Sequence, residues 1–339
     1  MLWTLLGLHV ATIGVIIASA GRLGRGVFAL AALPAAVTTG WAVPRLGNDE
    51  PVTAHAVWVE GLDLTFTFSV GPLAALMTVI VSGIGVAVFV YAAGYFGPSA
   101  PHLTRFAATL LGFSTAMVGL VWADSVWALF VFWEATSVTS FLLVGHKDTD
   151  PAAGVAARRA LLITAAGGLV LLAGFLVLAE ATGTVLLSEM GPVSGTRAGL
   201  AAVLVLVAAA TKSAQVPFHV WLPGAMAAPT PVSAYLHSAT MVKAGVLLVA
   251  LADPVLRSTD VWKPVGLAFG LVSIVWGAVG ALRHTDAKLI LAWGTISQLG
   301  LMISLLVLGT GKATFAAISI LAAHAVFKAA LFMVVGEID

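Results

Sequence analysis

From Leu2 to Val335 the chain is a succession of apolar runs, each about as long as a bilayer is thick, separated by short polar stretches. A spanning helix needs about 20 predominantly apolar residues. In hydrocarbon every backbone donor and acceptor has to be satisfied internally, so runs of this kind are helices. Reading from one polar break to the next gives roughly eleven of them, near 2–20, 26–43, 68–94, 105–122, 125–145, 160–181, 198–217, 231–252, 264–282, 288–308 and 313–335. The expected fold class is an all-α membrane protein, a polytopic helix bundle without an intervening polar domain.

Composition agrees and removes several function classes. Of 339 residues 60% are hydrophobic and 9% charged, against about 25% charged in a soluble domain, so the surface has to be covered by membrane lipid. A net charge of +1, scattered along the chain, offers nothing to a nucleic acid. The absence of cysteine excludes disulfides, thiolate metal sites and cysteine catalysis. The 35 glycines suit helices that approach closely in a bilayer.

The first run ends in Ala18-Ser19-Ala20, which loosely resembles a signal-peptide cleavage site, but Arg22 and Arg25 follow the run instead of preceding it. That order fits a first spanning helix with its N-terminus outside. Inward loops then receive Arg22, Arg25, Arg105, Lys147, Arg158, Arg159, Arg283 and Lys288; outward loops receive Arg45, Arg197, Arg257, Lys263 and Lys312. The bias follows the positive-inside rule. Trp41, Trp58, Trp122, Trp127 and Trp262 fall near the outer ends, where amphipathic rings favour the headgroup layer. The outward stretch 44–66 alternates in AVWVEGLDLTFTF and reads as a short hairpin, whereas 146–159, HKDTDPAAGVAARR, reads as a solvated inner loop. Segment 219–230, HVWLPGAMAAPT, is too short and too rich in Pro and Gly to span, and reads as a broken or re-entrant helix. Pro217, Pro223, Pro229 and Pro231 are the residues expected to break it.

Against this background the ionisable residues inside apolar runs stand out, because a charge at bilayer depth costs about 2.5–3.5 kcal/mol even on insertion scales. Glu134 lies in LFVFWEATSVTSFLLVG, far from either helix end, either as a structural carboxylate pairing two helices or as a charge that tunes a lysine. Lys212 precedes Pro217 by five residues, beside carbonyls that the proline frees; snorkelling to an interface is the alternative. Burial disfavours a charged amine and a nearby carboxylate favours it, so a lysine whose carboxylate comes and goes would hold and release a proton. His237 and Lys243 are six residues apart on the next predicted helix, about 600° of turn or about 240° around its axis, and so on different faces. His324 and Lys328 share a face at i, i+4, a plausible second relay site. Lys288 opens an apolar run and reads equally well as an inner-edge anchor or as part of the relay. The chain has no paired intramembrane carboxylates, no HExxH and no phosphate-binding glycine loop. His9 reads as packing. FWEATSVTSFLLVG and AWGTISQLGLMISLL share a faint pattern that is also compatible with chance.

FWEATS, TKSAQVPFHVWLPGAMAAPTPVSAYLHSATMVKAG, AKLILAWGTISQLGLM and AAHAVFKAALFMVVG resemble the signature stretches of the antiporter-like subunits. That group includes the proton-pumping membrane subunits of respiratory complex I, related membrane hydrogenases and Mrp-type multi-subunit sodium/proton antiporters. The resemblance runs from about residue 60 to the end and is strongest to the A-type subunit of the Mrp antiporters, with Gly224 and Lys243 standing where complex I's largest such subunit tends to carry Asp and Thr. It implies two inverted five-helix repeats, each with a broken helix: residues 1–103 as N-terminal helices with an outer hairpin, 104–252 as the first repeat, and 253–339 as the start of a second repeat left incomplete at GEID. It also implies roles in proton transfer: Glu134 as the fifth-helix glutamate, Lys212 as the broken-helix lysine, Lys243 with His237 as a connecting site, and Lys288, His324 and Lys328 as the continuing axis. A secondary transporter component of a bacterial plasma membrane is implied, with other subunits, H+ and Na+ as partners and no cofactor. The alternative is a redox-driven pump module of complex I or a hydrogenase, and the sequence names no metal ligands.

Overall fold

The computed structural model describes residues 1–19, 21–62, 64–97, 100–147 and 149–338, Leu62 by its backbone alone; Ala20, Asp63, Pro98, Ser99, Asp148 and Asp339, from the cleavage-like triplet, the hairpin, a loop, the charged stretch and the chain end, lie outside them. The helices are α1 (Leu2–Ala18), α2 (Gly26–Ala42), α3 (Pro72–Tyr95), α4 (Leu103–Trp122), α5 (Val126–Val144), α6 (Pro151–Thr182), α7 (Thr196–Lys212), α8 (Trp221–Gly224), α9 (Thr230–Leu236), α10 (Met241–Leu256), α11 (Trp262–Leu282), α12 (Ala287–Leu306) and α13 (Gly311–Ile338). Among the described residues nine helical stretches are long and apolar enough to cross a bilayer, α9 and α10 counting as one. The two other expected spans, α1 and α7, have 17 residues each.

Several boundaries differ from the sequence expectation, each for a local reason. The stretch 151–159, expected as solvated loop, is the first part of α6. Asp150 caps it through Oδ1, which accepts from the Ala152 amide at 2.9 Å, and Pro151 occupies the first helical position, where its missing N–H costs nothing. The third span begins at Pro72 and not near 68, because Leu64–Val70 is a strand, β2. It pairs antiparallel with β1 (Val52–Val59), Val52 facing Val70 and Val59 facing Leu64, with a bulge between Val57 and Val59. Phe68 of β2 is fully buried against the rings of Trp3, Trp122 and Phe132, and Ser125, the cap of α5, donates to the Thr65 carbonyl at 2.8 Å. Trp122 and Trp262, expected at the headgroup layer, are instead core residues: their indoles donate to Thr78 Oγ1 at 2.8 Å and to Asp253 Oδ1 at 2.9 Å. A buried indole needs such an acceptor.

The core lies along α4 and α10, which are enclosed almost all round. Helix α11 is peripheral and buries little besides Trp262 and the small stripe Gly266, Gly270, Ser273 and Gly277 against α12. A Cβ at Gly277 would lie 2.6 Å from the Ser297 amide nitrogen and 2.9 Å from the Trp293 carbonyl oxygen, both main-chain atoms that cannot swing aside. Small residues are what allow membrane helices to approach this closely. Gly277→Ala is therefore expected to destabilise the α11–α12 pair by about 1–3 kcal/mol, the usual range for overpacking, read as earlier thermal unfolding in detergent. An unchanged unfolding profile would show that the two helices do not meet at this glycine.

Candidate functional site

The site grows out of a helix that ends in mid-chain. Lys212 is the last residue of α7; Ala214 follows at φ +49°, a left-handed conformation that a non-glycine residue adopts at a cost of about 1–2 kcal/mol. The expected run to 217 thus stops five residues early. Pro217 precedes a turn of 3-10 helix, Phe218–Val220; Pro223 lies in α8; Pro229 stands before α9 and Pro231 in its first turn. The main-chain groups freed here are stapled individually. Trp221 Nε1 donates to the Thr211 carbonyl at 2.9 Å, Val216 N to Ser273 Oγ at 2.9 Å, and Ser213 Oγ to the Val242 carbonyl at 2.7 Å.

Lys212 is fully buried, and its Nζ reaches α5, donating to the Trp133 carbonyl at 2.9 Å and to Ser137 Oγ at 2.8 Å while lying 4.8 Å from the centre of the Trp133 ring. Glu134, the next residue after that carbonyl, is half-buried, and its Oε1 has no hydrogen bond. The carboxylate fits because α6 carries Gly167-Gly168 opposite it. A Cβ at Gly168 would lie 1.7 Å from Glu134 Oε1, and one at Gly167 1.8 Å from Thr211 Oγ1.

The second cluster joins α10 and α13. Lys243 is fully buried, donates to the Ser238 carbonyl and lies with Nζ 3.0 Å from His324 Nδ1. One turn along α13, Lys328 donates to the Leu291 carbonyl of α12 at 3.0 Å, over Gly294, where a Cβ would stand 3.1 Å from the amine. Two sequence expectations change here. His237 and Lys243 are not on one helix, since the chain leaves helical geometry between Leu236 and Met241, so their angular spacing has no meaning. Lys243 pairs with His324 instead of His237. His237 is fully buried with neither ring nitrogen hydrogen-bonded, its ring 6.0 Å from that of Trp221. Lys288 sits half-buried in the first turn of α12, one turn before Leu291. His9 is held on both sides, by Thr38 Oγ1 at 3.0 Å and Thr115 Oγ1 at 3.3 Å, and so clips α1 to α2 and α4. Among the described residues no three His, Cys, Asp or Glu side chains converge as metal ligands.

Residues 123–339, which contain all seven of the singled-out ionisable residues, match the family model described as NADH:quinone oxidoreductase/Mrp antiporter, TM. The chain belongs to this NADH:quinone oxidoreductase/Mrp antiporter family. Residues 57–107 match a second model, described as the N-terminus of chain 5 of NADH-ubiquinone oxidoreductase (complex I). Within the family the chain is 42% identical over 308 residues to the protein of Alkalihalophilus pseudofirmus named as the A-type subunit of its Na(+)/H(+) antiporter, covering 85% of this chain and 38% of that protein. It is 46% identical over 288 residues to a Rhizobium meliloti protein named as a probable A/B-type subunit of a K(+)/H(+) antiporter, covering 83% and 29%. In fold it is similar to a protein in the structure of the Mrp complex from Dietzia sp. DQ12-45-1b, with a TM-score of 0.92 and 38% identity over 100% of this chain and 37% of that one. The chain therefore spans well under half the length of these relatives.

Sequence reasoning missed several residues that build these two clusters. Ser137 and the Trp133 carbonyl are hidden because hydroxyls and main-chain oxygens are unremarkable in an apolar helix. Gly167-Gly168 was legible in part, since two adjacent glycines inside a long helix ask for a close neighbour. His219 also lies at the break: its Nε2 accepts from Trp276 Nε1 at 3.1 Å, and its ring stands 5.4 Å from that of Trp293. A histidine two residues after a helix-breaking proline was the available signal.

Proposed function

We propose that this chain is the proton-translocating portion of the A-type subunit in a hetero-oligomeric Na+/H+ exchanger of the bacterial plasma membrane, with its N-terminus on the outer side. The observation that carries the reading is the pair of wholly buried lysines, Lys212 and Lys243, each hydrogen-bonded to uncharged groups. Buried polar atoms without a partner are few in native proteins. Here Glu134 Oε1, Gln215 Oε1, both nitrogens of His237 and Nε2 of His324 are of that kind and fall on elements that hold the two lysines or adjoin them, while others, such as Trp41 Nε1, lie elsewhere. Groups of this sort take up and pass on protons by changing partners with water or with one another. Protons would move between Glu134 and Lys212, past His237 to Lys243 and His324, and on to Lys328, with Lys288 at the edge of the same path. Inward proton flow would drive Na+ out, each elementary charge being worth about 2.3 kcal/mol per 100 mV.

In this reading residues 104–252 form the first five-helix repeat, α7 and α8 being its broken helix, and 253–339 begin the second. The names of the relatives, both antiporter components, favour the exchanger over a redox-driven pump module, which would share the same buried residues. The test is the pH change on adding sodium to inverted vesicles of an exchanger-deficient host that contain the full complex. Glu134→Gln and Lys212→Ala are both expected to suppress it, the latter by at least about 100-fold, the scale of a lost proton-transfer group. Unaltered exchange in both variants would refute the pathway, and the same assay with potassium identifies the cation.

A further inference from the structure

In its ammonium form, the one that can pair with Glu134, Lys212 has three N–H bonds to satisfy and no lone pair to accept one. Three acceptors surround it: the Trp133 carbonyl at 2.9 Å, Ser137 Oγ at 2.8 Å and the face of the Trp133 ring, whose centre is 4.8 Å away. Ser137 points its own hydroxyl toward the same Trp133 carbonyl at 3.3 Å, which leaves a lone pair for the lysine. None of the three is charged. Glu134 lies between Trp133 and Ser137 in sequence, and Ser137 is its i+3 neighbour on the surface of α5, so the carboxylate is within a swing of the same lysine. Yet its Oε1 rests in the notch at Gly168 of α6 without a hydrogen bond. From the other elements packed around Lys212, α6 presents glycines 167 and 168, α8 turns the Trp221 indole to the Thr211 carbonyl, and Lys243 of α10 is engaged by the Ser238 carbonyl and His324. Glu134 is thus the charged group with which the uncharged acceptors compete.

We propose that Trp133 and Ser137 form a carboxylate-free dock for the Lys212 amine, and that Ser137 is a positioning residue dividing this amine between the dock and Glu134. The inference rests on the proton pathway above but adds a second resting place to it. In the docked arrangement the lysine is satisfied and Glu134, left without a counter-charge at bilayer depth, keeps its proton. When the ammonium swings across, the carboxyl O–H bond breaks, its proton passes to water at the half-buried face of Glu134, and the carboxylate left behind pairs with the ammonium. A lysine without the dock would stay on the carboxylate, since the uncharged acceptors lack the attraction between opposite charges that the acid offers.

Infrared absorption of the protonated Glu134 carboxyl, measured on the full complex in lipid, tests this directly. The wild type is expected to show a carboxylic-acid band that vanishes in Glu134→Gln. In Ser137→Ala the ratio of docked to paired lysine should fall at matched pH by about tenfold, the change for one lost hydrogen bond to a charged group, and the band should weaken with it. Ser137→Thr, which keeps the hydroxyl, should restore it. In a Lys212→Ala background the band should be present whether or not Ser137 is changed, because no amine remains to be divided. A wild-type complex lacking the band, a Ser137→Ala band equal to the wild type's, or a Ser137 effect that survives Lys212→Ala would overturn the dock. None of these outcomes depends on transport, so unaltered exchange by Lys212→Ala and Glu134→Gln would refute the pathway separately.

Discussion

A complex carrying Lys243→Met is expected to assemble and to lose at least about 100-fold of its cation-driven proton flux. Met matches the length of lysine and removes the amine, so the α10 core stays filled while the link between the Ser238 carbonyl and His324 Nδ1 disappears. Two opposing terms act on stability. The orphaned carbonyl and imidazole cost about 1–3 kcal/mol, and removal of a desolvated amine offsets part of that. Thermal unfolding of the purified complex should therefore move little while vesicle flux collapses. Lys312→Met is the matching control, because Lys312 is exposed at the start of α13 and its loss should leave flux unaltered. If Lys243→Met exchanged at the wild-type rate, the α10–α13 cluster would have no part in transport.

Gly168→Ala is expected to separate function from stability in the same way, through a single methyl group. Its Cβ would stand 1.7 Å from Glu134 Oε1 and 2.8 Å from Cδ, so the carboxylate has to leave its notch. Those two atoms are the far end of a flexible side chain, and the third neighbour, Trp133 Cδ1 at 3.2 Å, has to give by only a few tenths of an ångström, so the move is cheaper for folding than the main-chain collision at Gly277. For a proton relay it is expensive: a misplacement of about 1 Å can cost about 100-fold in rate. Flux in vesicles should fall toward the level of Glu134→Gln, with an unfolding temperature close to the wild type's. Gly14→Ala in α1 has no atom within 4 Å of the new Cβ and should change neither quantity. Full exchange by Gly168→Ala would mean that the position of Glu134 against α6 is immaterial.

Much of the architecture was legible because a bilayer asks one question of a sequence, namely how long each apolar run is. The helices, the hairpin and a break close to Pro217 follow from run length, alternation or proline, although the helix ends five residues earlier, at Lys212. What escaped was set by local main-chain chemistry or by distant neighbours. The Asp150-Pro151 start of α6 was masked by a charged, loop-like composition. The interruption between His237 and Met241 has no proline or glycine to announce it, so the angular spacing of a continuous helix did not apply there. Trp122 and Trp262 look like headgroup anchors in sequence, but Thr78 and Asp253 offer their indoles acceptors inside the bundle.

The sequence by itself determined that this chain lies in a membrane as helices and that a few amines and one carboxylate are carried into it, because every such charge is costly in hydrocarbon and shows against an apolar background. Only the tertiary structure decided which groups meet. Lys243 and His324 are 81 residues apart, and Lys212 rests on a serine and a carbonyl beside the expected acid. Distances of about 3 Å depend on how helices cross, and crossing depends on where a glycine lets two backbones close, a property of pairs of helices that no single run contains.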